Sequence, residues 1–140
     1  MTSNRKIINA TPVEADGIKF KSKMELLVYK TLVDKGYHPA YEARQFTLMV
    51  GGRPQFLVLK DGKKDASKIR DITYTPDFSF IHGNCMVFVE VKGWQNDTYA
   101  IKKKLFLNHL MEHYGAGEVA FFEVHSKKGL LACLEHLNSL

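Results

Sequence analysis

The chain has 140 residues and a mass of 16.0 kDa, enough for one domain around a single core, and no apolar run approaches the roughly 18 residues of a membrane span. Hydrophobic residues make up 45% and charged residues 25%, which excludes a disordered polyelectrolyte. Twenty Lys and Arg against 15 Asp and Glu give a net charge of +5, compatible with a polyanionic partner but no proof of one.

Residues 1–17 are polar, carry Pro12 and Gly17, and read as a flexible arm ahead of a single domain over 18–140. The arm lacks the apolar core of a secretory signal, and Cys85 and Cys133 are too few for a disulfide framework or a cysteine zinc site. The expected location is therefore the cytoplasm. Ser22-Lys23-Met24-Glu25 fits a capping box and opens a helix with Met24, Leu27, Val28 and Leu32 inward and Gly36 as the stop. Gln45–Val50 and Gln55–Lys60 read as strands joined by a Gly51-Gly52-Arg53-Pro54 turn. Asp61–Lys68 reads as a mobile charged loop, whose Lys63, Lys64 and Lys68 make a basic patch with Arg70.

Ile69–Tyr74 continues into Pro76–Ile81, then a turn at His82-Gly83-Asn84, then the strand Cys85–Lys92. That strand is apolar on both faces, as expected for a central strand covered on both sides. A long helix over Asp97–Tyr114 with Ile101, Leu105, Leu110 and Met111 inward, a buried strand Glu118–Val124 and a closing helix Gly129–Leu140 complete an α/β domain with a mixed sheet.

Alternation puts Glu90 and Lys92 on one face of their strand, and a turn centred on Gly83 sets Asp77 opposite Val89, one residue from Glu90. Two acids at the end of a buried strand are tolerable when one is protonated, when a basic side chain pairs with them, or when a cation lies between them. Asp and Glu oxygens suit Mg²⁺, with Mn²⁺ as its substitute, and such an ion activates water and stabilises charge on a phosphoryl group. Asp77, Glu90 and the Val91 carbonyl are the candidate ligands. Lys92 supplies a point charge for the attacking water or the developing negative charge.

Pro76-Asp77 followed by Glu90-Val91-Lys92 resembles the signature of the PD-(D/E)XK nuclease superfamily. The stretch TPDFSF, a turn, MVFVEVKGW and a basic helix is most similar to phage endonuclease I-type Holliday-junction resolvases and related small phage nucleases. The resemblance implies a restriction-endonuclease-like core, α-β-β-β-α-β, with a mixed central sheet flanked by helices. It implies a metal-dependent endodeoxyribonuclease with Asp77, Glu90 and Lys92 in catalytic roles. It also implies branched DNA such as Holliday junctions as substrate in phage recombination or replication, a homodimer, and the host cytoplasm as its setting. A restriction-like or nicking enzyme on linear duplex is the alternative within that class. The superfamily also places a glutamate on its first core helix, a role open to Glu25, which reads equally as a helix cap.

Gln95 and Tyr99 echo the Gln-x-x-x-Tyr element of RecB-like nucleases and, with Lys102, Lys103 and Lys104, are the expected DNA contacts. Two readings compete. His109-Leu110-Met111-Glu112-His113 fits the H-x-x-E-H pattern of inverted zinc peptidases, but that site needs a third ligand from another element. A non-catalytic DNA-binding domain would keep the fold and cut nothing.

Overall fold

The computed structural model describes residues 13–93 and 97–139. It opens with a hairpin of β1 (Val13–Ala15) and β2 (Ile18–Phe20). Its turn residues Asp16 and Gly17 both have positive φ, +52° and +77°, as a type I′ turn requires. Val13, Ala15 and Ile18 pack on the core, so residues 13–17 of the expected arm are paired and anchored by apolar side chains.

Helix α1 (Lys23–Asp34) begins where Ser22 accepts a hydrogen bond from the Glu25 amide at 3.1 Å. Its buried stripe is Glu25, Val28, Thr31 and Leu32, while Leu27, expected inside, is exposed. The i, i+3, i+7 spacing of Glu25, Val28 and Leu32 draws a glutamate inward with the apolar residues. Then follow β3 (Ala40–Tyr41), β4 (Phe46–Met49), β5 (Leu59–Lys60), β6 (Lys63–Lys64), β7 (Ile72–Tyr74), β8 (Phe78–His82) and β9 (Cys85–Val91). Helix α2 (Asp97–His113), strand β10 (Val119–Val124) and helix α3 (Lys127–Leu137) end the described chain.

The main sheet has the order β10-β9-β8-β3. β9 pairs antiparallel with β8 and parallel with β10, so the sheet is mixed and the protein is α/β. A parallel neighbour needs a crossover, and α2 supplies it. Val87 and Val89 face α1 and α3 with Phe78, Phe80, Leu32 and Leu130; Phe88 faces α2 with Tyr74, Phe106 and Leu110. Phe106 is the hub of that second layer, with the rings of Phe46, Tyr74, Phe88 and Phe121 centred 4.8 to 5.8 Å away.

Three further expectations fail. Residues 45–50 and 55–60 do not form a hairpin; β4 pairs with β7, and β5 pairs with β6 across Asp61-Gly62. The reason lies at Gly51, where a Cβ would stand 1.9 Å from the Ile69 carbonyl oxygen, so the glycine serves close strand approach instead of a turn. Of the stretch 61–68, residues 61–64 therefore form the turn and second strand of a hairpin, while 65–68 carry no regular secondary structure. On α2, Ile101 and Met111 point to solvent, because the buried stripe runs through Tyr99, Phe106 and Leu110. Among the described residues no helix is long and apolar enough to cross a membrane.

Candidate active site

Asp77 lies one residue before β8, and the pairing of Phe78 with Val89 carries on to set it opposite Glu90 itself. Both carboxylates are buried, at 3% and 7% exposure. The Val91 amide donates to Asp77 Oδ2 at 2.8 Å, which ties the two strand ends together beyond the last ladder pair. Amide and carbonyl of one strand residue project to the same side, so the Val91 carbonyl is also directed toward the Asp77 strand. Glu90 accepts a hydrogen bond from the Tyr74 hydroxyl on Oε1. Its Oε2 lies 3.6 Å from the Lys92 ammonium, as alternation along β9 predicts. That ammonium also stands over the Tyr99 ring, 4.1 Å from its centre.

Glu25 comes to the same corner from the other layer. Its Oε1 accepts from the Tyr41 hydroxyl at 2.7 Å and the Lys21 amide at 2.8 Å. Half of the capping box is therefore as expected, while the reciprocal bond goes to Lys21 and not to the Ser22 amide. Glu25 therefore stands in the first turn of α1 and is also a buried acid near the Lys21 ammonium. The Lys21 ammonium sits among three acids, 2.8 Å from Glu42, 3.7 Å from Asp77 and 3.9 Å from Glu25.

Burial, and then the Glu90 carboxylate, raises the Asp77 pKa well above the usual carboxylate range; the Val91 amide and Lys21 act against the rise. Glu90 is raised as well, chiefly by burial, with Tyr74 and Lys92 working in the opposite direction. The Tyr74 phenol is pushed up by burial and by the adjacent Glu90, so it stays protonated and remains a donor. The site thus holds two acids whose ionised forms are poorly supported by the protein alone.

The row of acids extends to the next strand. Glu123 on β10 is in register with Glu90, and it accepts from Tyr99 at 2.9 Å and from Lys103 at 2.8 Å, while His125 Nε2 lies 2.9 Å from its other oxygen. Burial opposes ionisation of Glu123, but the bonds from Lys103, His125 and Tyr99 outweigh it and bring the carboxyl down to about 2.

Among the expected DNA contacts, Tyr99 is buried beneath Lys92, and Lys103 points to Glu123 because it shares the Tyr99 face one turn on. Lys104 is exposed and Lys102 half-buried. Gln95 lies outside the described residues. Sequence reasoning missed Lys21, Tyr41, Glu42, Tyr74 and Glu123. An acid inside the apolar run EVAFFEV was a usable signal for Glu123, and Tyr74 was signalled by its place in the strand leading to Asp77. Glu42 reaches the cluster from a left-handed backbone position, φ +47°, which no local pattern announces.

The rings of His109 and His113 stack at 4.2 Å, and His113 Nδ1 donates to the His109 carbonyl at 2.8 Å. Among the described residues no three His, Cys, Asp or Glu side chains are gathered so as to hold a metal by themselves.

Fold and site define an α/β protein with a mixed sheet and a buried acid and lysine cluster at the end of its central hairpin. The chain belongs to the family described as "Protein of unknown function (DUF1064)", which matches residues 5–123 and so includes Glu25, Asp77, Glu90, Lys92 and Glu123. No curated protein matches it.

Proposed function

We propose that the protein is a Mg²⁺-dependent endodeoxyribonuclease of the PD-(D/E)XK superfamily. The observation that carries this reading is the pairing of Asp77 and Glu90 across adjacent strands, both buried and both raised in pKa, with Lys92 on the Glu90 carboxylate. The order α1, β3, β8, β9, α2 and β10, whose four strands share one mixed sheet, supports the restriction-endonuclease-like core that the motif implies. Mg²⁺ takes one or two carboxylates and keeps several waters, so it asks for no three-side-chain cage. Asp77, Glu90 and the Val91 carbonyl would hold it, and it would supply an activated water and charge for a phosphoryl oxygen.

The chain's own residues set the rest. The Val91 amide fixes one Asp77 oxygen and leaves the other toward Lys21. Tyr74 orients Glu90 so that its second oxygen meets Lys92. The Lys92 ammonium, held over Tyr99, is positioned to orient a water or to stabilise charge on phosphate oxygens. Glu25, clamped by Tyr41 and the Lys21 amide, is placed to assist as a further ligand or base. Tyr99 becomes a positioning residue under Lys92, and Lys102 and Lys104 are left as phosphate contacts.

Branched DNA as substrate and a homodimer that cuts two strands symmetrically rest on the resemblance to resolvases; a linear duplex is the alternative. One observation favours a second reading, a DNA-binding domain without activity: Lys21, from the exposed side, already lies among Glu25, Glu42 and Asp77 as a counter-charge. Cleavage of matched four-way, flap and linear duplex DNAs with Mg²⁺, wild type beside Glu90→Gln, separates these. Junction-selective cutting that is lost in Glu90→Gln is expected. Equal rates on all three substrates would remove the resolvase reading, cutting that survives in the variant would remove the site, and no cutting at all would leave the binding domain.

A further inference from the structure

The hairpin arm between β4 and β7 carries chemistry that the acid cluster does not use. Residues 50–71 hold six exposed cations, Arg53, Lys60, Lys63, Lys64, Lys68 and Arg70, against the acids Asp61, Asp65 and Asp71. The same arm exposes large apolar side chains, with Val50 78%, Phe56 75%, Leu57 66%, Leu59 52% and Ile69 50% open. Single exposed apolar residues are ordinary, but here five stand on one short arm, and Phe56 and Leu57 line one groove.

The arm is built to hold them there. Gly52 and Ile69 exchange amide-to-carbonyl bonds of 2.8 Å, and the Gly51 amide donates to Asp71 at the same distance. Farther out, Arg53 donates to the Ala66 carbonyl at 2.8 Å and the Asp65 amide to the Val58 carbonyl at 2.9 Å. Asp61 and Gly62, at φ +53° and +79°, close the tip as a type I′ turn. Between the legs lies a groove of about 400 Å³, lined by Arg53, Pro54, Phe56, Leu57 and Lys64 among others. The inner leg leads through β7 to Tyr74 and on to Asp77, so the arm is joined directly to the acid cluster.

We infer that this arm binds unpaired bases of a nucleic acid strand, with Phe56 and Leu57 against the base faces and the lysines and arginines on the phosphates. Apolar side chains set among cations suit a ligand that alternates flat apolar surface with negative charge, and an unstacked strand is such a ligand. An intact duplex offers the charge but keeps its bases stacked. A second copy of the chain would bring like charge against like charge at this arm. The inference rests on the nucleic-acid reading above and narrows its substrate to DNA with an unpaired segment, such as a fork or a flap.

The test is fluorescence anisotropy of labelled duplex, single-stranded and forked oligonucleotides with the full chain in EDTA, where no cleavage occurs. Wild type should bind fork and single strand more tightly than duplex. Phe56→Ala with Leu57→Ser should weaken fork and single-strand binding by roughly five- to hundredfold, the range of lost base stacking, and leave duplex binding unchanged. Lys63→Gln with Lys64→Gln should weaken all three alike and flatten the salt dependence. These positions are exposed, and unchanged melting temperatures would show that the fold is kept. Equal binding of fork and duplex by wild type would overturn the arm's role alone, as would an apolar variant with intact fork affinity that turns a dimer into a monomer on sedimentation. Absence of all DNA binding would overturn the nuclease reading with it, whereas an inert acid cluster leaves this assay unaffected.

Discussion

Asp77→Asn should make the metal-free protein more stable, and by an amount that grows with pH. The substitution keeps an oxygen that can accept the Val91 amide bond while removing a charge buried beside Glu90 and Glu25. A free aspartate ionises near pH 4. In the folded protein burial and Glu90 hold the Asp77 proton to a higher pH, so between those two points the unfolded chain has released a proton that the folded one retains. The wild type therefore loses stability as pH rises through that window and levels off above it. Each unit of difference corresponds to about 1.4 kcal/mol, and Lys21 at 3.7 Å offsets part of the charge, so a gain of about 1–3 kcal/mol is expected at pH 8. That is a rise in melting temperature of roughly 3–9 °C for a chain of this size. Adding 10 mM Mg²⁺ or 1 mM Mn²⁺ should stabilise the wild type and shrink the gap, because an ion that binds only the folded state adds about RT ln(1 + [L]/Kd), with little gain for the variant. Calorimetric melts at pH 4, 6 and 8 measure all of this. An Asn variant less stable than wild type at pH 8 would refute the reasoning, since the carboxylate would then be a net structural acceptor held by Val91 and Lys21.

Lys92→Met should lower single-turnover cleavage by roughly 10²–10³-fold, the usual cost of a lost charge stabiliser, while substrate affinity in EDTA changes little. Tyr74→Phe removes the hydrogen bond to Glu90 and should cost about 1 kcal/mol in urea melts, with the cleavage pH profile shifted upward because Glu90 loses a group that favours its ionised form. Phe106→Ala empties the hub between β4, β7, β9 and α2 and should destabilise by about 3–5 kcal/mol on chemical denaturation. Gly51→Ala forces the arm's legs apart at the Ile69 carbonyl, and hydrogen exchange should quicken at the Gly52 and Ile69 amides while β9 stays protected.

What the sequence discloses here follows the range of the interactions involved. The β8–β9 hairpin, the capped start of α1 and the closing helix are local, written in alternation, in Ser22 and in a leucine stripe, and each is found within three residues of its expected place. The pairing of β4 with β7 joins residues more than 20 apart in the chain and depends on backbone contact at Gly51, which side-chain pattern does not encode. Within the candidate site the same division holds. Glu90 and Lys92 are aligned by period two, and Asp77 is delivered by the hairpin, with the register one residue off. Tyr41, Glu42 and Lys21 arrive from loops and strand ends whose positions are set by the tertiary fold.

On the proposed reading of Lys92, Glu123 becomes its positioning residue. Glu90 and Glu123 are in register on parallel strands, and Tyr99 links Lys92 to Glu123, with its ring under the Lys92 ammonium and its hydroxyl on Glu123. Lys103 and His125 hold Glu123 ionised, so a fixed negative charge anchors the phenol from one side while Glu90 draws the ammonium from the other. Glu123→Gln leaves every group near Asp77 in place but weakens the anchor of that ring. It should reduce turnover through Lys92 by a factor of several to tens, with DNA affinity unchanged, and the effect should vanish when Lys92 is already methionine. Independent, multiplicative losses in the double variant would show that Glu123 acts on the fold or the DNA and not through the lysine.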